Sequence, residues 1–583
     1  MDEREAITGL LRRAHAKHAH RRRQNGLGAL QCLGCGATAC RAETLVPLHA
    51  FCARRACQLG FHLSERLMLS VDPPVGGKRV APPPEVEFVW PDYIPDELIC
   101  LIVLQAFDWA LDSVADYDAL MAMRAVSQRF ARVIDDCVVP QLWRLDGSVI
   151  PKLSLDALMR FRGLRTLEYQ GNYAGDADEQ ARLFAALPAL TDLKLAIYGQ
   201  DFGSREPNLP ALPPRLQRLS LVHVTKNAGA EAAIQGLAGQ LIALRLYDCP
   251  GMSGTALAGQ SALRELVLHG RQAPLDLGPC VALETLIATP LGGARLETVS
   301  ATLTRLWLST GQRAMPVDDA WIAALTGLRH LYFSGISLTD AGLSTLVNLE
   351  TLMLVACPGV TGASLSRLTR LSALSLEECH GAHDMTVEQA APLHRSVRWL
   401  AHIGESYMPW RTLAGFTQLT SLDLTGNIDL GLDSAFVLRD MLLLESLFLC
   451  GDQVNTSLDH LKRLRVLDLS ESYGFGNSRL SALTTLEELS LNNNSDITDA
   501  GLRNLPRLHT LLLVNNWTVT YAGVAPLWPQ LRRLAEFKSA ATIPDIAYRD
   551  ARIDHSPEAA LERGQRALAA WDDFPYDIIR NMY

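Results

Sequence analysis

No stretch of this chain of 583 residues is apolar for long enough to cross a bilayer. The nearest, around Leu98 to Phe107, is about half of the roughly 20 residues a spanning helix needs. The N-terminus, MDEREAITGLLRRAHAKHAHRRR, lacks the apolar core of a signal peptide. An intracellular location and no membrane partner are therefore expected. A strong excess of charge is missing too: the formal net charge is −9, which gives no reason to expect nucleic acid as the partner of the whole molecule. The twelve cysteines form no secreted framework, since five crowd between Cys32 and Cys57 and the rest are scattered singly. Phosphate-cradling G-x-x-x-x-G-K-[ST], zinc-protease H-E-x-x-H and hydrolase G-x-S-x-G are all absent. With no catalytic constellation, the chain is expected not to be an enzyme, and its function should reside in surfaces.

What is present is a repeat. Leu486, Leu489 and Leu491 follow the spacing L-x-x-L-x-L, with Asn494 three residues on, and Leu508, Leu511, Leu513 and Asn516 repeat it twenty-two residues later. This is the leucine-rich-repeat signature: a short strand turns its leucines inward, an Asn caps the turn through its amide, and a helix returns the chain. The first leucine position recurs at Leu164, Leu190, Leu216, Leu241, Leu263, Leu283, Leu303, Leu328, Leu349 and Leu371. After a degenerate copy at Val397 it continues at Leu419, Leu444, Leu464, Leu486, Leu508 and Leu531, giving seventeen units of 20 to 26 residues. One unit cannot bury its own apolar face, so copies must stack. The expected fold is α/β: a solenoid over residues 151–538 with a parallel concave sheet and convex helices. Cys249, Cys357 and Cys379 stand at the turn position held elsewhere by Asn427, Asn494 and Asn516, and read as structural thiols serving the same ladder.

Residues 1–30 form a basic arm. Residues 31–70 are cysteine-rich, and within them Cys32-x-x-Cys35 followed by Gly36 has the form of a zinc knuckle, whose turn lets two thiolates face one ion. Cys52 and Cys57 offer a second half, with Cys40, His49 and His62 as spare ligands. A structural zinc held by Cys32, Cys35, Cys52 and Cys57 is expected, because four thiolates would close the shell. Residues 71–91, with five prolines and two glycines in VDPPVGGKRVAPPPEVEFVW, are a linker. Residues 539–583 hold a candidate capping helix near Ala560 to Trp571.

Residues 92–150 carry three helical patterns: one opened by Ile94-Pro95-Asp96-Glu97, one over about 117–126 and one over about 127–137. They expose more apolar surface than they can cover, which suits docking on another protein. This stretch resembles the F-box, whose pattern is L-P-x-E, an Ile seven residues after the Pro, V-x-x-x-W and a terminal L-W. Pro95, Glu97, Ile102, Val126, Phe130 and Leu142-Trp143 occupy those positions. Phe130 stands where the family has Trp, and about nine extra residues within FDWALDSVADYDA lengthen the first helix-to-helix link. The T-D-A-G-L wording at Thr339 and Thr498 is also similar to F-box proteins with leucine-rich repeats. The resemblance implies a helical module binding a Skp1-like adaptor of a cullin–RING ubiquitin ligase. Pro95, Leu98, Ile102 and Val126 would then face the adaptor, and Phe130 would serve as an aromatic plug.

The repeats would select the protein substrate. Positions flanking the second and third leucines should face the concave side, which singles out Arg218, Arg245, Tyr247, Arg305, Trp307, Tyr332 and Met353. Exposed Trp, Tyr and Arg are the composition of an interface hot spot. Glu377, Asp423, Asp468 and Glu488 follow further along. Two other readings stand beside the ligase adaptor: an interaction scaffold with no ligase link, and, more weakly, nucleic-acid binding through the zinc module and basic arm.

Overall fold

The computed structural model describes residues 96–535 apart from loop stretches, the longest being 198–211, 290–301 and 426–436. It divides into two units, Met1–Gln260 and Ser261–Tyr583. The basic arm, the cysteine-rich segment, most of the linker and the C-terminal tail lie outside the described residues.

In the first unit, helix α1 (Asp96–Phe107) begins where the Pro95-Asp96-Glu97 signal places it. Helix α2 (Val114–Arg124) starts three residues earlier than its pattern suggests. Ser127 then caps α3 (Gln128–Arg132) by accepting from the Phe130 amide at 3.1 Å. The third pattern does not continue as α-helix, because residues Val133–Val138 widen into a π-helical turn. Arg129 at α3 donates to Asp96 at the start of α1 at 2.7 Å, closing the module on itself. Asp135 takes both Arg124 and Arg160, tying the module to the first repeat.

The lengthened link has a use. Ala110–Leu111 forms strand β1, which pairs in parallel with β2 (Arg144–Leu145), and β2 pairs with β3 (Thr166–Gly171). The sheet continues through β4 (Asp192–Ile197), β5 (Arg218–Val222) and β6 (Ala243–Tyr247). The helical module thus supplies two strands to the end of the repeat sheet and covers its edge.

The second unit carries β7 (Glu265–His269), β8 (Thr285–Thr289), β9 (Arg305–Ser309), β10 (His330–Ser334), β11 (Thr351–Val355) and β12 (Ala373–Glu377). It goes on through β13 (Trp399–Ile403), β14 (Ser421–Asp423), β15 (Ser446–Phe448), β16 (Val466–Asp468), β17 (Glu488–Ser490), β18 (Thr510–Leu512) and β19 (Arg533–Ala535). Each strand from β7 to β19 pairs in parallel with the next. All seventeen strands from β3 to β19 begin two residues after the first leucine position of their repeat, the degenerate copy at Val397 included. The fold is a leucine-rich-repeat solenoid.

Its core is the stacked leucines. Leu486, Leu489 and Leu491 are 0–1% exposed, and their counterparts in neighbouring repeats are buried alike. A fully buried leucine contributes roughly 1.5–3 kcal/mol, while ordering each residue costs about 1–2 kcal/mol. Three leucines cannot offset the ordering of some twenty residues, so a single repeat does not stand without its neighbours. The returning segments are shorter than the sequence suggests. Most of the described α-helical returns in the second unit are single turns such as Asp340–Leu343 and Asp499–Leu502, because a repeat of 20 to 26 residues leaves little room for more.

Two devices bond repeat to repeat. Asn494 Nδ2 donates to the Leu469 and Ser472 carbonyls, and Asn516 Nδ2 to those of Leu491 and Asn494, each at 2.9 Å. The Cys249, Cys357 and Cys379 thiols take the same slot and donate to strand carbonyls at 3.3 to 3.5 Å. The residue just before the slot is left-handed, as at Asp248, Ala356, Glu378, Asn493 and Asn515. The second device is the T-D-A-G-L wording. Asp340 accepts from the backbone and hydroxyl of Thr361 in the next repeat, and Asp499 does the same for Thr520. The glycine follows from this bracket: a Cβ on Gly342 would lie 2.7 Å from Asp319 Oδ1. The motif therefore answers a local packing requirement between these repeats.

Candidate functional site

Alternation along each strand sends its two buried leucines one way and the residues beside them to the opposite, outer face of the sheet. Because the strands pair in register, these outer residues line up in rows. In β9, Leu306 and Leu308 are each 2% exposed, whereas Trp307 between them is half-buried on the outer face. Trp307 is in register with Tyr332, and Tyr332 with Met353. The two rings stack, with centroids 3.6 Å apart and planes inclined by 16°.

The same row proceeds through Ser375 and Ala401 to Asp423, Phe448 and Asp468. Alongside it runs a second row carrying Ala373, Trp399 and Val466. Met353, Ala373, Trp399, Ala401 and Phe448 pack into a buried apolar cluster, with Tyr332 and Val466 against its margin. The outer face thus bears a hydrophobic layer of its own. At about 4.8 Å per strand, the row from Trp307 to Phe448 spans roughly 29 Å.

Two carboxylates bracket the far end of this layer. Asp423 and Asp468 are 8% and 5% exposed and lie one strand to either side of Phe448. Asp423 Oδ1 accepts from the Thr425 amide at 2.9 Å and hydroxyl at 2.6 Å. Burial pushes the Asp423 carboxyl up to about 6, against the lowering by Thr425, and Asp468 adds to the rise. Glu377 is raised as well, by burial first and then by Glu378 and Asp423. Strands β12 to β17 contain no Lys or Arg, so this end of the face is acidic.

The residues singled out in the sequence are distributed as follows. Arg305, Trp307, Tyr332 and Met353 share the second unit's outer face, with Met353 buried to 7% exposure. Arg218, Arg245 and Tyr247 belong to the first unit. Arg218 is exposed and pairs with Asp192 on the adjacent strand at 3.6 Å, and Tyr247 is 6% exposed and so presents little surface. Phe130 is wholly buried within the helical module, and Val126 is half-buried. Pro95 and the side chains of Leu98 and Ile102 lie outside what the structure describes, as do Cys32, Cys35, Cys52 and Cys57. The sequence does not single out Trp399, because its repeat is degenerate. The signal for it is its slot, two residues after Val397, which is the slot of Arg305 and His330. Among the described residues no group of three or more His, Cys, Asp or Glu is placed to hold a metal.

No protein-family model and no curated protein sequence matches the chain. Among solved structures it is similar to a leucine-rich-repeat protein of Leptospira interrogans, LIC12759, at 17% identity, covering 79% of this chain and 98% of that one, with a TM-score of 0.34. It is similar also to an internalin of Listeria monocytogenes (15% identity, 66% of this chain and 88% of that one, TM-score 0.29). A third is the TLR13–ssRNA13 complex, at 16% identity, 67% of this chain, 61% of that one and a TM-score of 0.36. The solenoid assignment rests on the repeat geometry, and no helix among the described residues is long and apolar enough to cross a membrane.

Proposed function

We propose that this chain is an intracellular protein-recognition molecule that takes its partner on the outer sheet face of the second unit. The observation behind this reading is the Trp307–Tyr332 stack continuous with the Met353–Trp399–Phe448 layer. The aromatic part of this layer that stays partly exposed is the Trp307–Tyr332 pair, which lies away from the leucine core and has the composition of a binding hot spot.

The finer proposal follows the F-box resemblance: the recognised protein is a substrate, and helices α1 to α3 engage a Skp1-like adaptor bound to a cullin. Phe130, buried as an aromatic plug, suits that module. The test is Pro95→Ala combined with Ile102→Asp, which should abolish co-purification of Skp1 and cullin while the repeats stay folded. An aspartate in a desolvated groove is an unpaired charge costing several kcal/mol. Unchanged co-purification from cells would remove the ligase assignment. The competing reading, a scaffold without a ligase link, is favoured by the β1–β2 pairing, through which the helical module acts as the cap of the array. It prevails if neither Skp1 nor cullin is recovered while other proteins are.

A further inference from the structure

Of the free cysteines among the described residues, Cys100, Cys249, Cys280, Cys357 and Cys379 are buried, and Cys137 alone is part-exposed. Cys137 stands in the π-helical turn Val133–Val138, on which α1 packs, and Cys100 of α1 is its neighbour there. One side chain joins the two residues: Gln141 Nε2 donates to Cys100 Sγ at 3.5 Å and to the Cys137 carbonyl at 2.7 Å. Cys137 also acts on the Cys100 thiol directly, through its charge and a hydrogen bond. Burial first, and then Cys137, push the Cys100 thiol up to about 11, while the Gln141 bond lowers it in part. Cys100 therefore stays protonated near neutral pH and sheltered from solvent, and Cys137 is the sulfur that an oxidant meets first.

We propose that Cys137 and Cys100 are a redox pair: hydrogen peroxide oxidises Cys137, and Cys100 resolves it into a disulfide that joins α1 to the π-helical turn. In the first step the Cys137 sulfur attacks the peroxide, the O–O bond breaks, and a sulfenic acid and water form. In the second the Cys100 sulfur attacks the Cys137 sulfur, the S–O bond breaks, and hydroxide leaves with the Cys100 proton as a second water. The two thiols thus give two electrons to one peroxide. An accessible sulfur poised beside a second, sheltered one is the arrangement of a sensor cysteine with its resolving partner. The bond adds a covalent tie to a module that the Arg129–Asp96 contact already closes, and it is undone by exchange with a low-molecular-weight thiol.

In the test, the full-length chain is exposed to hydrogen peroxide, its remaining thiols are alkylated, and the unreduced tryptic digest is read by mass spectrometry. Trypsin leaves Cys100 as the sole cysteine of residues 80–124 and Cys137 as the sole cysteine of residues 133–144. The expected product is these two peptides joined, lost on reduction with dithiothreitol and far more abundant than in protein oxidised in urea. In Cys100→Ser the sulfenic acid at Cys137 should persist and take up dimedone, whereas Cys137→Ser should leave Cys100 reduced. The joined peptide is measured on the wild-type chain, so it decides the matter even where a serine unfolds the module. No joined peptide from folded protein, or one no more abundant than after oxidation in urea, would overturn the proposal. So would Cys137 joined to a cysteine of residues 32–57, or Cys100 oxidised as readily in a folded Cys137→Ser protein.

Discussion

The indole of Trp307 lies on the phenol ring of Tyr332, one strand away, 3.6 Å between centroids and 16° from parallel. The stack sits on the outer face, with Leu306 and Leu308 filling the core behind it. Packing and the proposed recognition role would differ in magnitude and can be separated.

A stacked aromatic pair contributes about 0.5–1.5 kcal/mol beyond its buried area. Trp307→Ala should therefore lower the melting temperature only slightly. Partner binding should fall by at least ~2 kcal/mol, the threshold of a hot spot. Tyr332→Ala and Met353→Ala should give smaller, non-additive losses, and Arg305→Ala should act mainly on association rate and salt dependence. Titration calorimetry with a partner recovered by affinity purification, each variant checked by circular dichroism, makes the comparison. A Trp307→Ala protein that melts far lower, or binds as wild type, would show the ring to be packing alone.

Asp340 binds the Thr361 amide at 2.8 Å and its hydroxyl at 2.5 Å, and accepts from Ser364 of the same next repeat. Removing one partner of a part-buried amide costs about 1–3 kcal/mol. Asp340→Ala should lose that much in urea denaturation. Asp340→Asn should be nearly silent, since Asn477 already plays this part for Thr498, accepting from its amide at 2.9 Å and donating to its hydroxyl at 3.0 Å. Equal losses for the two variants would count against the bracket.

Asp423 predicts a pH dependence. Burial raises it to about 6 in the folded protein, against about 3.9 in an unfolded chain. Between those values the folded protein keeps a proton that the unfolded chain has released, so stability falls as pH rises through the window and stays reduced above it. The loss approaches about 3 kcal/mol at most, two pH units at ~1.4 kcal/mol each. Asp423→Asn retains the Oδ1 acceptor for Thr425 and should be more stable than wild type at pH 7.5, with a shallower slope between pH 4 and 6. A variant less stable at pH 7.5, with the wild-type slope, would refute this account. Glu377, raised chiefly by burial, contributes to the remaining slope in the same direction.

The cysteine-rich segment is tested by metal content. Purified full-length chain should carry about one zinc, bound chiefly by Cys32, Cys35, Cys52 and Cys57. Structural sites of this kind bind with roughly 10–16 kcal/mol, so the metal should survive dialysis and leave on replacement of Cys32 and Cys35 by serine. Zinc content unaffected by those replacements would assign the cysteines to ordinary packing.

Repeat number and strand position were legible in the sequence because the leucine spacing is a local rule. L-x-x-L-x-L states which residues turn inward, and even the degenerate copy at Val397 kept its place. The role of Asn494 and of the thiols at Cys249, Cys357 and Cys379 was readable for the same reason, since each bonds within a turn whose position the repeat sets. What the sequence could not show is anything that depends on which side chains meet across strands. Trp307 and Tyr332 are 25 residues apart and stack only because two strands pair in register. Asp423 and Asp468 come to flank Phe448 through the same pairing, and burial in the folded chain lifts Asp423. Ala110-Leu111 reads as a spacer in the chain and becomes a strand only where Arg144-Leu145 offers an unpaired edge. Local spacing determines where each strand begins. Tertiary pairing alone decides which residues share a face and how deeply they are buried, because both depend on neighbours that are distant in the chain.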